Sequence, residues 1–455
     1  MPCLLASIAE LGPEWQEQVG AVESATTLSA LVLAVLVLTR ALAVRIVEEV
    51  LEARAMEPTV WPPCPHCGRQ LRSKGRVDRQ MATSVGVVRW WRRVGRCPAG
   101  CSIGLVAPLD EVLGLRSGQR TSLELASLAC LLAVYVPFDT AAAVLQRATR
   151  VCVGASTIWE WVRAAGERAH QQLLAEIEAM KASGKVEHEI IEAKVRELAL
   201  IVGGDEVMVP FRPTPGSPQG PTVWREVKVA VLARLDPRTG RDGRLVTRLA
   251  HRRLVAVLGD IDALADRLRL EALRQRAWQA PQLAWISDGA RGFWRLCDDI
   301  FAGHATAILD FYHAAGQLWQ AAEAWFGYRP SAQSWFRAAR HDLREGRVDD
   351  LITHLSSEAN TVWLDKDRRK VIRRVRDYLD RHRDHLRFPD FKAMGLPLGS
   401  GFVESACKWL IQQRFKGVGM RWSEEGFNNL LLLRLAWAND RFDQLFLPDL
   451  TPSPN

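Results

Sequence analysis

Leu198-Ala-Leu-Ile-Val-Gly-Gly-Asp-Glu-Val-Met-Val209 marks the point at which this 455-residue chain changes period. Upstream, apolar residues recur at helical spacing. From Leu198 they come in short runs of strand length. Trp224-Arg-Glu-Val-Lys-Val-Ala-Val-Leu232 and Leu245-Val-Thr-Arg-Leu249 follow, after a Pro/Gly loop from Pro213 to Pro221. Three strand candidates in succession predict a meander. A helix around Gly259–Gln275 is next, then a short strand, Leu283-Ala-Trp-Ile-Ser-Asp-Gly-Ala290. A helix over Phe293–Ile300, a strand at Ala305-Thr-Ala-Ile-Leu309 and a helix near His313 complete the series.

Three strands, helix, strand, helix, strand, helix is the element order of a ribonuclease-H-like domain, an α/β fold. Residues 327–396 interrupt it. They read as charged and helical, with Arg368-Arg-Lys-Val-Ile-Arg-Arg-Val-Arg376 prominent, and predict an all-helical insertion. Pro397-Leu-Gly-Ser-Gly-Phe-Val-Glu-Ser-Ala-Cys-Lys408 then opens a helix whose first turn carries Glu404, expected in buried surroundings. A lone buried carboxylate is costly unless it is paired or binds a metal.

Asp205 and Asp288 are placed as oddly as Glu404, each beside a strand-like apolar run. The three read as one carboxylate site. Two divalent ions held by carboxylates can activate an attacking oxygen and stabilise a leaving oxyanion, the needs of phosphodiester chemistry. Hard oxygen donors suit Mg²⁺ or Mn²⁺. Glu206 neighbours Asp205 but points to the opposite face of a strand, and Gly203-Gly204 would let a ligand approach Asp205 closely. Asp310, in Leu309-Asp-Phe-Tyr-His313, is the competitor of Asp288; with His313 it reads as a supporting pair that caps a helix. Lys408, Arg414, Lys416 and Arg421, with Trp422 beside them, combine cations and an aromatic ring as strand-contacting surfaces do.

The amino-terminal part is organised differently. Residues 1–56 read as helical, with the apolar run Leu28–Leu38 as a buried helix of a bundle, too short to span a bilayer. Cys64-Pro-His-Cys67 and Cys97-Pro-Ala-Gly-Cys101 are two knuckles that suit one tetrahedral Zn²⁺, with four thiolates leaving no open catalytic position. Short strands around Gly75–Arg79 and Val85–Arg93 complete a zinc ribbon. Phe138-Asp-Thr-Ala-Ala-Ala-Val-Leu145 and Gly154-Ala-Ser-Thr-Ile-Trp-Glu-Trp-Val162 fit a helix-turn-helix, capped at Asp139 or Thr140 and at Ser156 or Thr157. A plain helical bundle fits them too. Residues 160–196 read as a charged helical connector. The boundaries expected are 1–58 helical, 59–106 zinc ribbon, 107–197 helix-turn-helix and connector, 198–445 catalytic domain and 446–455 a disordered tail.

Apolar residues make up 48% and charged residues 25%, a globular balance. The net charge of +8 admits an anionic partner as well as a plain solvated surface. Nine cysteines, four of them in metal-like spacing, suit a reducing cytoplasm. No P-loop motif occurs, so ATP dependence is not indicated.

Asp205-Glu-Val-Met-Val-Pro, Trp224-Arg-Glu-Val-Lys, Ser287-Asp-Gly-Ala-Arg, Asp310-Phe-Tyr-His-Ala and the Gly399–Lys408 run with Arg414-Phe-Lys-Gly-Val-Gly-Met-Arg-Trp422 resemble bacterial insertion-sequence transposases of the ISKra type. These belong to the broad DDE group and are similar to Mutator-like enzymes. The resemblance spans roughly residues 60–440. It implies a catalytic triad of Asp205, Asp288 and Glu404, with Asp310 and His313 matching the Asp-x-x-His signature. Glu206 departs from the pattern, which often has Gly there. The resemblance also implies double-stranded DNA as partner, both element ends and target, with assembly as a homo-oligomer in the bacterial nucleoid and no membrane. A DNA-binding regulator and a non-transposing nuclease of the same fold are the alternatives.

Overall fold

The computed structural model describes residues 12–213, 220–240, 243, 245–360 and 363–446. The expected tail, from residue 447, and most of the Pro213–Pro221 loop lie outside them. The chain divides into two compact units, one comprising the residues up to Val162 together with Phe446 and the other comprising Arg163–Leu445. The division falls inside a helix, Ala155–Ser183, upstream of the boundary expected at residue 198. The reason is packing: Ile177 and Met180, late in that helix, share a core with Leu270.

In the first unit, β1 (Arg72–Ala82) and β2 (Val87–Arg96) form an antiparallel hairpin; β1 is longer at both ends than the sequence predicts, and β2 starts two residues later and ends three later. The helix Leu28–Met56 differs more from expectation. It is 29 residues long, and Leu38 and Ala55 are its buried side chains; Leu28, Val32, Leu33 and Val37 are exposed. Ala34, Ala41 and Leu42 pack on the Pro13–Glu23 helix, and Val44 and Leu51 pack on the hairpin. An 18-residue window has mean hydropathy 2.3, so by length and composition this helix could cross a membrane.

The helices Leu123–Tyr135 and Phe138–Thr149 precede the Ala155–Ser183 helix. The expected caps are not used. Pro137 precedes the Phe138 helix without a side-chain cap, and Ser156 and Thr157 lie inside theirs. The connector is not one helix either. Gly184, with φ +65, ends the helix in a left-handed conformation, and helix resumes for Ala193–Arg196 alone.

The second unit is built on a five-stranded mixed sheet: β3 (Ala199–Phe211), β4 (Val223–Thr239), β5 (Leu245–Leu258), β6 (Leu283–Ser287) and β7 (Ala305–Leu309). Its spatial order is β5-β4-β3-β6-β7. β3, β4 and β5 pair antiparallel, while β3, β6 and β7 run parallel. β5 extends nine residues past the predicted Leu249, through His251-Arg-Arg253, because its charges are satisfied. Arg253 is buried and its Nε donates to both oxygens of Glu189, at 3.0 and 3.1 Å.

Ile261–Arg274, capped by the Asp260 carboxylate, and Arg291–Phe301 cover the sheet. The core runs through Trp285, Phe293 and Phe301 into Phe388 and Phe391. The block after β7 is helical as expected: Phe311–Phe326, Arg329–Arg344, Val348–Ala359, Lys366–Arg381 and Phe388–Ala393.

The candidate carboxylate centre and the cysteine cluster

The sheet register decides where the acidic residues meet. Gly204 of β3 is the last residue paired with β6, opposite Ser287, and Ser287 is in turn opposite Leu309 of β7. The next residue on each strand is acidic: Asp205, Asp288 and Asp310. Three carboxylates therefore leave one rung of three parallel strands spaced about 4.8 Å apart. For β6 and β7 this is the carboxyl end, where open α/β sheets place their ligand crevices, while β3 continues past Asp205 to Phe211.

The helix that starts at Gly401 brings Glu404 to the same place. Its Phe402 and Val403 lie directly on Gly203. A Cβ there would come within 2.7 Å of Val403 Cγ2, 2.8 Å of Phe402 and 2.8 Å of the Ile286 carbonyl oxygen. The Gly203-Gly204 pair thus serves helix approach, not the ligand approach the sequence suggests.

Glu404 itself is exposed, contrary to the buried setting expected, because it follows the buried Val403 and turns outward. Farther along, the helix widens into a π-helical turn over Cys407–Gln412. The buried Arg434 caps carbonyls there: its Nε donates to Leu410 O at 2.8 Å and its Nη2 to Trp409 O at 2.6 Å. No local sequence pattern marks the π turn or the burial of Arg434.

Electrostatics tie the group together. Burial raises the Asp205 carboxyl, and the charges of Asp288 and Glu404 raise it further; its one resolved hydrogen bond is from Glu206 N, 2.7 Å away. Burial also pushes the Cys407 thiol up to about 12, reinforced by Asp205 and Glu404. His313 is raised by its bond to Asp310, with Asp288 and Asp205 adding to it. Glu206 faces the other way, in an ion pair with Lys228, which also holds Glu226 at 2.9 Å.

Asp310 differs from the rest. It is 1% exposed, and both its oxygens are taken by the protein. Oδ2 accepts from the backbone and hydroxyl of Ser400, the latter at 2.7 Å, and Oδ1 accepts from His313 N at 2.8 Å. His313 Nδ1 stands 3.2 Å from Oδ1. Burial works against its charge, but these donors hold the carboxyl down at about 2. The arrangement fastens the turn that launches the Glu404 helix to the end of β7, a positioning role.

Of the other residues singled out, Lys408 and Lys416 are exposed, Lys416 over the Trp224 ring at 5.5 Å. Arg421 Nη1 donates to Gly220 O at 2.6 Å. Arg414 departs from the surface role expected. It is 2% exposed beneath Trp422, and burial lowers it to about 10, with Arg434 adding to the effect.

Among the described residues, one group of three or more metal-ligating side chains closes to within 4.8 Å: Cys64, Cys67, Cys97 and Cys101. The three carboxylates stand wider apart. The thiols fit Zn²⁺. Bonds of about 2.3 Å in a tetrahedron put sulfurs roughly 3.8 Å apart, and Cys67 and Cys97 Sγ are 3.4 Å apart. Desolvation raises the Cys97 thiol, but backbone N–H groups of Cys101 and Ala99 outweigh it and bring Cys97 to about 6, while hydrogen bonds to Cys97 and Cys67 push Cys101 up to about 12, so the four thiols share protons among themselves.

No family model and no curated protein matches the chain. A solved structure titled "Drosophila P element transposase strand transfer complex" is similar over 75% of this chain and 84% of that one, at 9% identity and a TM-score of 0.25.

Proposed function

We propose that the protein is a DDE-type DNA transposase of the ISKra kind, with a ribonuclease-H-like core. The observation that carries this reading is the shared rung: Asp205 within β3 and Asp288 just past the end of β6 stand at one level of adjacent parallel strands, and Glu404 is brought within electrostatic range of Asp205 by a helix seated on Gly203. The strand order, with an antiparallel pair on one side of β3 and two parallel strands on the other, supports the core assignment.

The donor set is all carboxylate oxygen, and the raised Asp205 is a group whose ionised form a cation would favour. Asp205, Asp288 and Glu404 would hold two Mg²⁺ or Mn²⁺ ions, which supply activation of an attacking oxygen and stabilisation of the departing one. Asp310 and His313 set the position of the Ser400 turn and hence of Glu404. The cysteine cluster would hold a structural Zn²⁺ that folds the hairpin, and with the helices that follow it would bind the element ends.

The test is metal-dependent cleavage of linear DNA carrying candidate element ends, followed by strand transfer into a second duplex. Asp288→Ala should abolish both steps while Zn²⁺ content is kept. Full activity in that variant would move the role to Asp310. DNA binding without any cleavage would favour a regulator, and cleavage without strand transfer a nuclease.

A further inference from the structure

The Lys366–Arg381 helix carries eight cations and three carboxylates in sixteen residues. Its inner face is apolar, with Ile372, Val375 and Leu379 buried. At 3.6 residues per turn, Lys370, Arg373, Arg374, Asp377 and Arg381 fall on the opposite face. With Tyr378 they line an open cleft of about 400 Å³. Asp377, its one carboxylate, is turned to Arg376 at 2.9 Å, and Arg374 donates to Gln320 at 2.6 Å. Lys370, Arg373 and Arg381 have no carboxylate partner among the described residues. A solvated basic helix usually offsets its charge with partners three or four residues away. This one keeps three cations unpaired on one wall of a cleft.

The cleft adjoins the carboxylate centre. Tyr378 packs on the turn after Asp288 so closely that a Cβ on Gly289 would lie 2.2 Å from its ring. The Trp294 indole fixes the same turn, donating to Asp288 O at 2.8 Å. The carboxyl-terminal turn of the helix therefore lies one side chain away from the Asp288 turn, and the cationic face runs back from it to Lys370. From residue 370 to 381 it rises roughly 16 Å, about the axial length of four or five phosphates on one strand.

We infer that this cleft holds the sugar–phosphate backbone of the DNA flanking the cleaved bond, through Lys370, Arg373 and Arg381, without reading bases. The inference rests on the carboxylate centre being a DNA site.

The experiment compares wild type with the triple variant Lys370→Gln/Arg373→Gln/Arg381→Gln and with a control of equal charge loss, Arg329→Gln/Arg337→Gln/Lys392→Gln. Affinity for a 30-base-pair duplex is measured from 50 to 200 mM salt without added Mg²⁺, and cleavage separately with it. Each phosphate contact contributes about 0.9 to the salt slope, so loss of three makes the slope shallower by nearly 3. Over that salt range the wild type then loses about 40-fold more affinity than the variant. The control keeps the wild-type slope. An unchanged slope in the cleft variant, or the same flattening in the control, overturns the inference. A wild type that never cleaves, yet has a steep slope lost only in the cleft variant, refutes the transposase reading and leaves the cleft standing.

Discussion

Replacing Asp310 by Asn isolates what fastens the Glu404 helix. The isosteric amide keeps the volume but not the charge, and one side of it becomes an NH₂ group facing a donor, either Ser400 N–H or His313 N–H. The carboxyl is depressed from an ordinary 3.8 to about 2. At 1.36 kcal/mol per pH unit this is worth about 2.4 kcal/mol of native stability at neutral pH. A carboxylate lowered in the folded state stabilises above its unfolded pKa, and that stabilisation fades as pH falls toward the folded one. The contribution should be full at pH 7, about half at pH 3 and absent below pH 2.

Amide exchange read on peptides around Leu398–Val403 and Asp310–Ala315 measures the opening of this junction directly. Protection there should drop about 60-fold at pH 7 in the Asp310→Asn protein, with β4 and β5 unaffected. The difference from wild type should narrow below pH 4. Equal protection in the two proteins at pH 7, or a loss that persists undiminished at pH 3, would refute the claim that ionised Asp310 fastens the turn.

Asp205→Asn should raise the melting temperature at pH 7 while abolishing metal-dependent cleavage. Its carboxyl is raised by burial and neighbouring charge, so its stabilising contribution is present at low pH and lost as pH rises through the folded pKa, and the asparagine gains most at neutral pH. A melting temperature lowered at pH 7 would refute the electrostatic reading. Gly203→Ala should cost about 1–3 kcal/mol through overpacking against Val403 and the Ile286 carbonyl, and should weaken divalent-metal affinity along with stability; unchanged urea midpoints would count against close helix–strand contact. The purified protein should carry one zinc per chain by elemental analysis, and Cys101→Ser should lose it together with exchange protection of the Arg72–Arg96 hairpin. Retained protection without metal would show that the hairpin folds on its own core.

What could be read from the sequence was what local pattern controls, and what could not was set by residues far apart in the chain. The β3 run and the strand ending at Ser287 announce themselves because both are apolar, short and closed by turn residues. Asp205 and Asp288 follow from that, since each is the first charged residue after such a run. That they share a rung with Asp310 is register, which no single strand displays. β5 looked as if it ended at Leu249 because His251, Arg252 and Arg253 break the apolar pattern; Glu189, 64 residues earlier, is what makes a buried Arg253 tolerable. Arg414 is buried where the sequence suggests a surface role, and Glu404 is exposed where it suggests burial. Both lie on the helix after Ser400 but on opposite sides of its π turn: Glu404 precedes the turn and is exposed beside the buried Val403, while Arg414 follows it with its phase shifted, and the turn's carbonyls are held by Arg434, twenty residues beyond Arg414. A helical wheel drawn through 401–415 at a constant 100° per residue cannot place both ends, so charge alone is a poor guide to which of its polar side chains meets solvent.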